Sequence, residues 1–224
     1  MRLIQVILFG IFLCTSSIGN SQNLPSKNIT VNDGLPSNTI RSVYKDSRGM
    51  LWIGTEAGLC CYNGINYKVF NETDGLKYNN IWSIVEDEDR NLWLSIYGKG
   101  LAKYDGKQFT YYDKHNGLVN DNIRRLYYSK KYKCLIIATE NGLSLFDGKQ
   151  FKSFTRKDTS HAFQIVSVNE TRDKILVTSS YFGVYNLSIN KDISKSTIDS
   201  LFQTETLYSS FVFDSTPPPK NEYQ

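Results

Sequence analysis

The stretch Leu51-Trp52-Ile53-Gly54-Thr55-Glu56-Ala57-Gly58-Leu59-Cys60-Cys61-Tyr62-Asn63-Gly64-Ile65-Asn66-Tyr67-Lys68-Val69-Phe70 decides the fold. It holds three short runs of β-branched, aliphatic and aromatic residues, broken at Glu56-Ala57 and at Asn63-Gly64, with no helical period between them. Asn-Gly between such runs signals a hairpin, because both residues tolerate positive φ. On the N-terminal side, Asp46 with Gly49 marks a type I turn, and Val43-Tyr44 before it supplies a fourth run. Four antiparallel strands in roughly 42 residues make the unit of a β-propeller blade.

The same order recurs along the chain. Asp33-Gly34-Leu35, Asp74-Gly75-Leu76 and Asn116-Gly117-Leu118 are spaced by 41 and 42 residues. Leu51-Trp52-Ile53-Gly54 is echoed by Leu92-Trp93-Leu94-Ser95 and more weakly by Leu135-Ile136-Ile137-Ala138. Gly58-Leu59, Gly100-Leu101 and Gly142-Leu143 follow, and each unit closes on an aromatic run after an Asn-Gly or Asp-Gly pair. Identical positions do the same structural job in every unit, so Gly34, Gly54, Gly58, Gly75, Gly100, Gly117 and Gly142 read as backbone positions. Trp52 and Trp93 read as packing between blades.

A fourth, eroded unit runs over 165–186, with Val177 at the tryptophan position. Phe211-Val212-Phe213-Asp214-Ser215 matches the first strand of a fifth unit, and Pro217-Pro218-Pro219 cannot join a strand interior. At the other end, residues 29–34 align with the close of a unit and predict an outermost strand. The expected division is a signal peptide over 1–21, blades over 28–70, 71–112, 113–154 and 155–189 within 22–189, and a partial fifth blade with a Pro-rich tail over 190–224. The fold class is all-β: about four four-stranded blades of an incomplete propeller. Its two uncovered blade faces predict marginal stability and self-association.

These motifs resemble the two-component regulator propeller repeat, whose pattern runs Asn-x-Ile, Asp-x-x-Gly-x-Leu-Trp-Ile-Gly-Thr, Gly-Leu, Tyr-Asp-Gly, Phe and Asp-Gly-Leu. The match is close over 40–70, good over 81–112 and looser over 123–154. The resemblance implies an N-terminal sensor propeller, normally seven-bladed, of a histidine kinase located outside the inner membrane in Bacteroidota. It also implies oligosaccharides as the ligand and a kinase as the signalling partner. No kinase sequence follows the repeats here, so phosphotransfer is not expected of this polypeptide.

Composition agrees with a non-catalytic exported module. The chain has 224 residues, 26 Lys and Arg against 22 Asp and Glu, and two histidines. Basic clusters at Arg124-Arg125 and Lys130-Lys131-Tyr132-Lys133 are offset by the acidic Glu86-Asp87-Glu88-Asp89, which argues against a nucleic-acid face. Two histidines disfavour a His-rich metal site or a His-dependent hydrolase. His115, beside the Gly117 turn, is a weak base candidate for a secreted propeller lyase or quinoprotein. No cofactor or metal is expected, and Glu86-Asp87-Glu88-Asp89 reads as a solvated hairpin tip. Arg2 followed by an apolar run to Leu13 and small residues to Ser21 reads as a secretory leader too short to span a bilayer. Its removal leaves Cys60, Cys61 and Cys134, an odd count that reads as buried thiols.

A binding site is expected where the units differ, on the face shared by the loops entering each first strand and those between second and third strands. Arg41, Trp82 and Arg124 follow Ile40, Ile81 and Ile123 at one repeat position. With Tyr97 and Tyr181 they offer aromatic faces and planar donors suited to sugars. A propeller that binds another protein instead is the other reading of that face.

Overall fold

The computed structural model describes residues 28–156 and 161–202. These form four four-stranded antiparallel sheets, each in simple sequential order. The first comprises β1 (Ile40–Lys45), β2 (Leu51–Thr55), β3 (Gly58–Tyr62) and β4 (Tyr67–Phe70). The second comprises β5 (Ile81–Glu86), β6 (Leu92–Ile96), β7 (Gly100–Tyr104) and β8 (Phe109–Tyr112). The third comprises β9 (Ile123–Ser129), β10 (Cys134–Thr139), β11 (Gly142–Phe146) and β12 (Phe151–Phe154). The fourth comprises β13 (Ile165–Glu170), β14 (Ile175–Ser179), β15 (Gly183–Ser188) and β16 (Thr197–Phe202). The fourth blade thus extends past the expected boundary at 189, because its outer strand is delivered by a longer connection through a 3₁₀ turn at Ile193–Lys195. The predicted leader over 1–21 and the predicted fifth-unit strand over 211–215 lie outside the described residues.

The Asp/Asn-Gly-Leu signature has one physical cause. Thr30, Asn71 and Asp113 each cap a single 3₁₀ turn, and Asp33, Asp74 and Asn116 return the bond to the capping residue's own N–H. Gly34, Gly75 and Gly117 then close the turn at φ of 112°, 90° and 111°, where a Cβ is strained. Leu35, Leu76 and Leu118 follow directly into the core. The predicted outermost strand at 29–34 is therefore corrected: Val31–Asp33 is the 3₁₀ turn itself, with the Asn32 and Asp33 N–H groups donating to Thr30 and the Val31 N–H to Asn38 Oδ1.

Three apolar seams join the blades. Trp52 packs with Leu92, Leu94 and Tyr104 across the first, and Trp93 with Leu135, Ile137 and Phe146 across the second. Ile136 packs with Ile175, Val177 and Tyr185 across the third. Trp52 and Trp93 are only 3% and 4% exposed, as inter-blade packing requires. Gly54 lets the first seam close, since a Cβ there would lie 2.8 Å from Ile81 Cγ2. The register corrects the fourth unit: Tyr44, Val85 and Tyr127 stand opposite Trp52, Trp93 and Ile136, and Asn169 stands opposite Leu176. Leu176, not Val177, holds the tryptophan position, on the outer flank.

Each indole is also anchored at the hairpin that precedes it. Asp46 Oδ2 accepts from Trp52 Nε1 at 3.0 Å while Oδ1 accepts from the Arg48 and Met50 N–H groups. Asp87 repeats this with Trp93 Nε1 at 2.8 Å and the Asp89 and Asn91 N–H groups. The third blade has Ser129 and Ile136 instead, so carboxylate and indole are lost together. The acidic run 86–89 is accordingly not all solvated: Asp87 holds Trp93, and Glu86 is buried, accepting from Ser47 N and Oγ across the first seam at 2.8 and 2.9 Å.

The two outer flanks differ. On the first blade Val43, Ile53, Cys60 and Val69 stand opposite one another across all four strands, and cross-strand partners share a face. On the fourth the corresponding rank is Asn169, Leu176, Asn186 and Asp199. Neither flank matches the expected uncovered apolar face: on the first blade Ile53 and Cys60 are buried with Leu35, leaving Val43 and Val69 exposed, and the fourth carries Asn169, Asn186 and Asp199. Cys60, Cys61 and Cys134 are buried free thiols, and burial pushes Cys60 to about 11 and Cys134 to about 12, so neither is a thiolate near neutrality. No helix among the described residues is long and apolar enough to cross a membrane.

Candidate functional site

The inner strands β1, β5, β9 and β13 all begin with the same irregularity. The ladder skips one residue between Ile40 and Ser42, between Ile81 and Ser83, between Ile123 and Arg125, and between Ile165 and Ser167. The skipped residues are Arg41, Trp82, Arg124 and Val166. A bulge leaves one residue out of the pairing and re-aims its side chain. All four line a single cavity of about 620 Å³, together with Arg125 and the adjacent strand backbones. That volume is ordinary for a small-molecule or short-oligomer site.

The hairpins between second and third strands supply the rim. Glu140 stands at the tip between β10 and β11, where its carboxylate accepts from Tyr97 Oη, Arg124 Nη2 and Asn122 Nδ2, each at 2.9 Å. Burial pushes this carboxyl up, but those three hydrogen bonds outweigh it and hold Glu140 below the usual glutamate range. The bond to Glu140 in turn pushes the Tyr97 hydroxyl up. Gln164, with its amide oxygen toward Arg124, accepts from Nη2 at 2.9 Å and Nε at 2.8 Å and donates to Ser180 at 2.7 Å. Arg124 is thereby fixed between the third and fourth blades.

Trp82 stands at the centre. Its ring stacks on Tyr97 at 4.6 Å, with the Arg41 and Arg124 guanidinium carbons 5.3 and 5.9 Å from its centroid. Trp82 Nε1 donates to Asn80 Oδ1 at 3.0 Å. Arg41 pairs loosely with Glu56 at 3.7 Å, both side chains a little under half exposed. Four of the five candidates from sequence thus meet: Arg41, Trp82, Tyr97 and Arg124. Tyr181 is not among the lining residues; its ring lies 4.9 Å from that of His161 on the fourth blade's hairpin. Sequence reasoning passed over Val166, Arg125 and Gln164 as lining or supporting residues, and the bonds that join Glu140 to Tyr97, Asn122 and Arg124. The 42-residue offset from Arg124 to Val166 was the signal for the first, masked by the erosion of its unit. His115 Nδ1 lies 3.1 Å from Asp113 Oδ1 in an exposed cap and is not among the residues that line the cavity.

Four sequential four-stranded sheets with inner strands around one cavity define a β-propeller array. The two-component regulator propeller model matches residues 34–57 and 75–98, so these stretches are two-component regulator propeller repeats. Over 77 residues the chain is 32% identical to Histidine kinase P4 of Formosa agariphila, covering 30% of this chain and 6% of that protein. The extracellular domain of a hybrid two-component system from B. thetaiotaomicron superposes with a TM-score of 0.60 at 24% identity, over 71% of this chain and 23% of that one. PorZ, a surface component of the type-IX secretion system of Porphyromonas gingivalis, gives 0.51 at 14% identity, over 73% of this chain and 23% of that one. The chain therefore spans a small part of each relative's length. At these identities the two solved structures speak to the fold alone.

Proposed function

We propose that the chain is an extracytoplasmic ligand-recognition module of a two-component sensor, reading an oligosaccharide in the cavity ringed by Arg41, Trp82, Arg124 and Val166 and signalling through a kinase outside this sequence. One observation carries the reading: the bulge makes these four side chains the variable members of an otherwise structural repeat and aims all four at one space. The name of the curated relative, a histidine kinase, supports the signalling context. Planar donors around an indole suit hydroxyl-rich ligands. The test is calorimetric titration of the full chain against a panel of neutral and acidic oligosaccharides, alongside Trp82→Ala. Binding that the variant weakens about tenfold or more, a loss of roughly 1.4 kcal/mol, supports the reading; a panel with no binder defeats it.

A further inference from the structure

The cavity wall carries three guanidinium groups, on Arg41, Arg124 and Arg125, and no carboxylate; the acids Glu56 and Glu140 stand on the rim. The three arginines are not equally engaged. Arg124 is held by Glu140 and Gln164. Arg41 has only the 3.7 Å approach to Glu56. Arg125 is exposed, and among the described residues no hydrogen bond or ion pair engages its guanidinium.

Arg125 also breaks the repeat. Ser42, Ser83, Arg125 and Ser167 are one position, standing opposite Gly54, Ser95, Ala138 and Thr178. In the second blade that serine has a structural task, its Oγ accepting from Leu126 N of the next blade at 3.1 Å. The third blade replaces this small hydroxyl with a long cation on the cavity wall. Meanwhile Trp82 is engaged by Tyr97 and overlain by two guanidinium groups, so it orients the arginines and leaves recognition chiefly to charged donors. Charge-assisted bonds from a guanidinium to an oxyanion are about twice as strong as neutral ones.

We infer that the oligosaccharide is anionic, bearing a carboxylate or sulfate on a sugar ring, and that Arg125 is the residue that anchors the charge; this rests on the oligosaccharide reading above. The experiment is calorimetric titration of the full chain with four probes: trigalacturonic acid, its fully methyl-esterified form, a singly sulfated galactotriose and neutral galactotriose. The expected result is that a charged trimer binds at least about tenfold tighter than its neutral counterpart, with a preference that shrinks as salt rises. Which charged trimer shows it identifies the oxyanion. Arg125→Ser restores the residue of the other three blades, so it should keep the thermal midpoint and abolish the preference. Equal binding of charged and neutral trimers, or a preference that survives in Arg125→Ser, overturns the inference while the oligosaccharide reading stands. Binding of none of the four overturns both.

Discussion

Asp46 and Asp87 show how a repeat residue earns its place through two bonds at once. Each carboxylate closes its own hairpin and fixes an indole six residues later, so the turn and the inter-blade seam form one unit. Trp93→Ala should cost about 3 to 5 kcal/mol, read by urea denaturation, chiefly through the emptied seam, since Asp87 Oδ2 keeps its bond from Asn91 Nδ2. Trp93→Phe should cost less, because it keeps most of the ring area. The depressed carboxyls predict a pH effect of definite sign. Burial pushes Asp46 up, yet bonds from Trp52, Met50 and Arg48 bring it below its ordinary value, and Glu140 is lowered likewise. A group with a depressed folded pKa stabilises fully above its unfolded value, here about 4 to 4.5, and loses that contribution as pH falls through the folded value. Stability should therefore decline from about pH 5 downward, and Glu140→Gln should differ from the parent chain at pH 7 more than at pH 3.

The blades were legible at the level of elements because their punctuation is chemical. Asn-Gly, Asp-Gly and Asp-Gly-Leu each demand a particular backbone, and a hairpin or capped turn stands at each in the first three units. Gly117→Ala tests this directly: with φ at 111° and a Cβ 3.1 Å from Phe151 Cβ, it should cost about 1 to 2 kcal/mol in the same denaturation assay. What the spacing could not convey is register. A bulge adds one residue to one strand without altering the period, so Arg41, Trp82 and Arg124 could be picked as variable but not as unpaired. Hairpin length is hidden in the same way: Leu176 lies 11 residues after Ile165 where Trp52 and Trp93 lie 12 after Ile40 and Ile81, so counting by the period puts Val177 where Leu176 belongs. The cap at Thr30 was mistaken for a strand because Ile29-Thr30-Val31 is β-prone in composition, whereas the Asp33 side chain decides the local structure.

For the molecule as a whole the unlike flanks matter most. The first blade presents Val43 and Val69, at 58% and 39% exposure, on either side of Ile53 and Cys60, which are buried with Leu35, whereas the fourth presents two asparagines and an aspartate around Leu176. We expect concentration-dependent self-association in sedimentation velocity that Val43→Lys abolishes and Leu176→Lys leaves intact; equal effects of both would contradict the asymmetry. The shared bulge has a consequence over evolutionary time. A residue outside the ladder is released from the pairing constraints of its neighbours, so codons 41, 82, 124 and 166 can drift while selection on the blade continues undisturbed. Each duplication of the unit would then hand a lineage one more uncommitted side chain at the same spot, and new ligands could be explored without inventing new architecture.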